Sequence, residues 1–304
     1  MFRHLPNSRL LPIGKHGAFN SDDIVNNYFF DSINLNGILS VFKPSLRITN
    51  PFVYNLHTKL WSAYCKSHPI SFGSEGAQRN ASKRHILSVL GKIGHGGTLD
   101  PMAQGIVVVG LGSGTKKLGT LLQGPKVQMF EMLTSIVLYG NHEIGRRLQD
   151  VVRKFIGHNI LQVPPKYSLF ISYRPRFSAL RVNGTRACDL MRRGIEIPDL
   201  DARPVTINSI SIVNVDPPFI TLSVDCMGGT YIRSLVRDIS AELGTFGMLT
   251  FLERTRIGPF HIQDSIRDLS IFEHDLEAVR KISEQGALLL DEYIYSRQHT
   301  NVTI

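Results

Sequence analysis

The chain has 304 residues, 42% hydrophobic and 19% charged, which describes a globular protein with a substantial core and excludes collagen, coiled coil and wholesale disorder. Lys and Arg number 34 against 25 acidic residues, and the resulting +9 favours a polyanionic partner, nucleic acid foremost. Cys65, Cys188 and Cys226 are far apart and lack C-x-x-C spacing, which argues against a disulfide framework or zinc cage and for a reducing compartment, and no apolar run reaches the roughly 20 residues of a membrane helix.

Residues 1–36 show no sustained periodicity and read as a disordered extension; the first 20 carry Arg3, Arg9 and Lys15 without an acid, short of a regular mitochondrial presequence. Order begins at Gly37, where Gly37-Ile-Leu-Ser-Val-Phe42 is a β-leaning run closed by Lys43-Pro44. Residues 52–65 place Val53, Leu56, Leu60 and Trp61 at helical spacing, and 71–84 read as an exposed basic loop. From Lys92 to Gly105 the chain is a glycine-rich loop, followed by an apolar strand to Leu111, a second glycine-containing loop and a basic helix start. Residues 71–127 hold seven Lys or Arg against Glu75 and Asp100, so +5 of the net charge is local to this fifth of the chain. Val205–Val213 and Phe219–Val224 alternate as an antiparallel strand pair around Pro217-Pro218. Tyr231–Leu243 is an amphipathic helix capped by Gly244, and a last helix spans about Asp275 to Leu290. Strands with few helices between them predict a mixed α/β sheet.

Gly110-Leu-Gly112-Ser-Gly114-Thr-Lys116 fails as a phosphate loop, because the Lys does not directly follow the last Gly, and it fails the dinucleotide fingerprint as well. Asp100 is the most unusual carboxylate, set before Pro101 in a basic, glycine-rich segment. An Asp-Pro pair commonly just starts a turn, but a carboxylate among cations stays ionised and is available as nucleophile or base. His95 alone reads as a turn histidine. Tyr231 and Arg233 stand at a strand–helix junction, either packed and solvated there or projecting past the sheet edge into a cleft.

Gly94-His-Gly-Gly-Thr-Leu-Asp100-Pro-Met-Ala-Gln-Gly105, continuing to Lys117, resembles the catalytic motif of TruB-type tRNA pseudouridine-55 synthases, and is most similar to the fungal members. Six further blocks keep the family's order: Gly37–Pro44, Gln162–Pro165, Phe177–Gly184, Arg203–Thr206, Gly229–Leu235 and Phe251–Arg254. The resemblance implies the pseudouridine synthase fold, a mixed and largely antiparallel sheet with flanking helices, over residues 37–270, with 1–36 an extension and 271–304 a helical tail. It implies an isomerase that converts the T-loop uridine at tRNA position 55. Asp100 would be the catalytic aspartate, Tyr231 would lie against the base and help remove the C5 proton, and Arg233 would orient the carboxylate. His95 would contact RNA near the flipped nucleotide, Lys43 and Pro44 would support the loop, and Leu252 with Arg254 would line the site. No metal or cofactor is implied. The implied partner is tRNA through its T-arm, with mRNA hairpins as further candidates, acted on by a monomer without a membrane or obligate protein partner. The compartment is intracellular, nuclear or mitochondrial, with the cytoplasm as alternative.

Two departures stand out. Two residues beyond Lys126 the family has an aromatic that stacks on the target base, whereas this chain has Gln128, with Phe130 nearby. The acidic strand that follows in the family is shortened here, leaving Glu143 and Asp150 as candidate partners for Arg233 by proximity. Residues 167–176 are an insertion. The alternative reading is therefore a catalytically impaired tRNA-binding or tRNA-folding protein of the same fold.

Overall fold

A computed structural model describes residues 35–45, 49–67, 90–135, 141–164, 181–182, 185–186 and 201–300. The extension as far as residue 34, the basic segment 71–84, the insertion 167–176 and the block 177–184, apart from the backbone of Arg181 and Val182, lie outside the described residues.

Apolar runs become strands where the sheet can bury them. Gly37–Lys43 forms β1, Ile93–His95 forms β2, and the run after the glycine-rich loop forms β3, Gln104–Leu111, buried throughout after Gln104. Lys126–Thr134 forms β4 with every second side chain buried, as expected of a strand with unlike faces. Then follow β5 (Gly157–Gln162), the short pair β6 (Arg181–Val182) and β7 (Thr185–Arg186), β8 (Arg203–Asp216), β9 (Phe219–Cys226), β10 (Gly247–Ile257) and β11 (Phe260–His261). Apart from β6 and β7, these form one nine-stranded sheet in the order β1-β3-β10-β4-β9-β8-β5, with β2 beside β3 and β11 beside β10. All its pairings are antiparallel except β3 with β10, which run parallel where Gln104 meets Glu253 and Gly105 meets Arg254. The mixed, largely antiparallel sheet expected from the sequence is what the chain forms, and β8 and β9 pair across Pro217-Pro218 as their alternation predicts.

Helices flank this sheet. α1 (Thr49–Ser67) starts three residues before its apolar stripe. A 3₁₀ turn, Gly112–Lys117, leads into α2 (Leu118–Gln123). α3 (Asn141–Arg153), not anticipated from the sequence, buries Leu148, Val151 and Val152. α4 (Ile232–Glu242) turns Ile232, Leu235, Val236 and Ile239 inward, and Gly244 beyond it takes the positive φ of +72° that a helix terminator needs. After the single turn α5 (Ile271–His274), α6 (Leu276–Thr300) extends well past Leu290. Leu290 joins Ile38, Ile106, Val108, Leu121 and Ile257 in the core, so the last helix seals the β1–β3 side of the sheet. Among the described residues no helix is long and apolar enough to cross a membrane.

Candidate active site

Buried backbone groups must find partners, and the loop Gly96–Ala103 between β2 and β3 finds them from several directions. The Gly96 N–H donates to the Val108 carbonyl at 2.8 Å. Arg254 donates through Nη2 to Gly97 O at 3.4 Å, through Nη1 to Thr98 O at 3.3 Å and through Nε to Ile106 O at 2.9 Å. The Thr49 hydroxyl, at the start of α1, accepts from the Leu99 N–H at 3.0 Å and donates to the Leu99 carbonyl at 3.3 Å. The Ala103 N–H closes a turn on the Asp100 carbonyl at 2.9 Å. Lys43 Nζ donates to Ala103 O at 2.6 Å, Pro44 O at 3.0 Å and Pro101 O at 3.4 Å. The loop backbone is thus pinned from β1, α1, β3 and β10, and the Asp100 side chain projects from a fixed base.

The parallel junction depends on Gly105. Its φ is +113°, and a Cβ there would lie 2.3 Å from the Arg254 carbonyl oxygen, so only glycine lets β3 start against β10 at this point. That approach delivers Arg254 beneath the loop.

Opposite the loop, α4 begins. Arg233, its second residue, meets Asp100 side-on: Nε donates to Oδ2 at 2.7 Å and Nη2 to Oδ1 at 3.2 Å. The pair is partly withdrawn from solvent, with side-chain exposures of 11% for Arg233 and 27% for Asp100, so its charge-assisted bonds are only weakly screened. Tyr231 precedes the helix in extended conformation and is held through its backbone. Its N–H donates to Gln162 Oε1 at 2.8 Å, and its carbonyl accepts from Gln162 Nε2 at 3.0 Å. One buried glutamine thereby acts as a strand partner for one residue. Next along the chain, the Val163 carbonyl accepts from Ser234 Oγ at 2.8 Å and from Arg237 Nη2 at 3.3 Å, fixing the start of α4 to the end of β5.

Between loop and helix lies a cavity of about 240 Å³. Asp100, Thr98 and Leu99 line one side, and Tyr231, Arg233 and Thr230 another; Lys126, Gln128, Leu252 and Arg254 line it from the sheet, and Leu122 from α2. Lys126 is buried and donates to the carbonyls of Leu121 (3.0 Å), Leu122 (3.0 Å) and Gly124 (2.9 Å), capping the end of α2. Burial, reinforced by the Arg254 charge, pulls Lys43 and Lys126 each down to about 8 from 10.5; Asp100 partly offsets this for Lys43, and Cys226 for Lys126. Burial likewise lowers Arg254 to about 10, and at neutral pH all three remain cations. Burial pushes the Tyr231 hydroxyl up, against the opposing pull of Arg203 and Arg233. One carboxylate therefore faces a walled space surrounded by fixed positive charge, an arrangement suited to holding a species that becomes anionic.

Asp100, Tyr231, Arg233, Leu252 and Arg254 meet on this cavity. Lys43 lies behind the loop as its support, and Pro44 is exposed at the end of β1, its carbonyl taken by Lys43. His95 lies on β2 with Nδ1 enclosed; burial, then Arg254, lowers its pKa, and it is not among the residues lining the cavity. Phe130 follows Gln128 on the same face of β4 but is fully buried beneath it and does not reach the cavity. Asp150 is no partner of Arg233: on α3 it accepts from Arg153 at 3.4 Å, while Asp100 itself takes the Arg233 fork. The Glu143 side chain lies outside the described residues. Three supports escaped the sequence reading. Gln162 and Lys126 were visible as parts of motifs without a role, whereas Thr49, fifty residues from its partner, left no local signal.

The family model described as TruB family pseudouridylate synthase (N-terminal domain) matches residues 84–232. Pseudouridylate synthase TRUB1 of Mus musculus is 36% identical over 241 residues, 75% of this chain and 64% of that protein. The tRNA pseudouridine synthase B of Sinorhizobium medicae is 36% identical over 234 residues, 74% of this chain and 71% of that protein. The chain thus spans 64% of the length of the mouse relative and of its human counterpart. Among solved structures, a chain of a Cbf5–Nop10–Gar1 complex superposes with a TM-score of 0.58 at 21% identity, covering 85% of this chain and 62% of that one, a likeness of fold.

Proposed function

Because the chain belongs to the TruB family of pseudouridylate synthases, we propose that it is a tRNA pseudouridine synthase that isomerises the T-loop uridine at position 55, with Asp100 as its catalytic carboxylate. The observation that carries this reading is the Asp100 carboxylate held side-on by Arg233 at a cavity that Tyr231, Leu252 and Arg254 complete. A uridine must leave its stack to reach such a site, at a cost of a few kcal/mol that stacking and phosphate contacts from the basic chain offset. Isomerisation breaks the N1–C1′ bond, forms C5–C1′ and moves the C5 proton off the ring while N1 ends protonated, so the reaction is redox-neutral. Asp100 acts on the ribose or the uracil ring as the glycosidic bond breaks, and the side-on Arg233 fork keeps it aimed. The detached base carries negative charge, which Arg254 and Lys126 in the cavity wall stabilise without moving. Tyr231, its hydroxyl kept protonated by burial, meets the base as a neutral phenol, so it can relay the C5 proton only by giving up its own in the same step, toward the ring nitrogen that ends protonated.

A T-arm hairpin incubated with the protein should gain pseudouridine, read by mass spectrometry of the digested RNA. Asp100→Ala should abolish product and leave RNA affinity within about twofold, because phosphate contacts dominate binding. Gln128, standing where the family resemblance places an aromatic ring, favours a second reading as a tRNA-folding factor. Salt-sensitive tRNA binding without product after long incubation would select it.

A further inference from the structure

Gln128 on β4 pairs directly with Arg254 on β10, so the two side chains leave the sheet on one face, and both line the cavity. Gln128 is only 8% exposed. Its Nε2 donates to Cys226 Sγ at 3.8 Å, its Oε1 accepts no hydrogen bond from any described residue, and the residue lines the cavity. An amide oxygen with no protein partner in a cavity wall is an acceptor that a bound base can use, and one that becomes costly to leave unpaired once the base displaces water. Several other polar groups of the wall are committed: Lys126 to three carbonyls, Arg233 and Asp100 to each other, the Thr230 hydroxyl to the Met227 carbonyl at 3.0 Å. Arg254 has used three of a guanidinium's five N–H groups on Ile106, Thr98 and Gly97. A free acceptor and spare donors therefore stand side by side.

Uracil carries a complementary edge, an N3–H between two carbonyl oxygens. We infer that Gln128 Oε1 accepts the N3–H of the target base while Arg254 donates to a flanking carbonyl, making Gln128 the residue that selects uracil over cytosine. Cytosine presents an acceptor at N3, which would confront the Gln128 oxygen with a second lone pair. The assignment deepens the pseudouridine synthase reading and rests on it. Ring geometry gives it a further role. C6 lies between N1 and C5 and opposite N3, so half a revolution about the C6–N3 line exchanges N1 for C5 and O2 for O4. The N3–H lies on that axis. Gln128 can hold it before, during and after the turn as a pivot, while Arg254 meets first one carbonyl and then the other.

The test uses T-arm hairpins bearing uridine, cytidine or N3-methyluridine at the target position, with the full chain as wild type and as Gln128→Leu. Wild type should bind the uridine hairpin roughly 10- to 100-fold more tightly than the N3-methylated or cytidine hairpin, as one lost buried hydrogen bond implies. In Gln128→Leu these ratios should fall below about 3-fold and kcat should drop, with Gln128→Met making the same comparison if the Leu variant does not fold. Equal ratios in variant and wild type, or no discrimination by wild type, would overturn the assignment. Discrimination that depends on Gln128 with no pseudouridine formed would instead overturn the catalytic reading and uphold Gln128 as the base-reading residue.

Discussion

Replacing Thr49 by Val keeps the shape of the side chain and removes only the hydroxyl, which makes it a clean probe of the Asp100 loop. Thr49 is 2% exposed and Leu99 is 7% exposed, so water cannot substitute for what is lost. The Leu99 N–H loses its acceptor at 3.0 Å and the Leu99 carbonyl loses a weaker bond at 3.3 Å. A buried donor left unpaired costs about 1–3 kcal/mol, and the carbonyl adds an amount near the low end of that range, so the total should be roughly 2–3 kcal/mol. For a chain of this size that corresponds to a fall of roughly 3–5 °C in melting temperature. Leu99 is bonded directly to Asp100, so the loop should relax and carry the carboxylate with it; misplacement near 1 Å costs about 100-fold in rate. The assays are thermal or urea unfolding and steady-state kinetics on a T-arm hairpin. Thr49→Val should lose kcat with KM within about twofold, and Thr49→Ser, which keeps the hydroxyl, should recover most of the rate. A Val variant as stable and as fast as wild type would refute the claim that this hydroxyl fixes the loop.

Arg233→Lys keeps the charge beside Asp100 but loses the fork that binds both oxygens; kcat/KM should fall by about 10- to 100-fold with RNA affinity nearly unchanged, measured by kinetics and filter binding. Lys43 and Lys126 titrate near 8 in the fold and near 10.5 when unfolded. Below about pH 8 both states hold these protons and the fold bears the full cost of burying the charges. Between about 8 and 10.5 the unfolded chain holds protons that the folded chain has released, so this contribution makes stability rise with pH. Urea midpoints at pH 7.5 and 9.5 should show a larger gain for wild type than for Lys126→Met.

The strands that could be read from sequence were those whose pattern is local. β1 and β3 are unbroken apolar runs, and β8 with β9 alternates on either side of a proline pair. β10 was visible only as its Phe251–Arg254 block, because shifts in its pairing with β4 between Leu249 and Phe251, and between Arg254 and Arg256, break the two-residue period that marks a strand. α3 was missed because its buried Leu148, Val151 and Val152 all fall in its second half, behind a polar start. Within the site, Asp100, Tyr231 and Arg233 stood out by motif, whereas their closure around one cavity is tertiary: residues 133 apart in sequence meet as an ion pair. Gln128 was legible as an anomaly, and only the pairing of β4 with β10 shows what it stands beside.

The parallel contact between β3 and β10 has one more implication. All the supports described for the Asp100 loop come from β1, the first residue of α1, β3 and β10, elements mutually bonded through the sheet or through the loop itself. Such a chassis decouples chemistry from recognition. Peripheral segments can lengthen, shorten or drift to suit a different RNA surface while the loop backbone that carries Asp100 keeps its place, so variation among homologues should accumulate outside this frame and its Arg233 contact long before it touches Lys43, Thr49, Gly105 or Arg254.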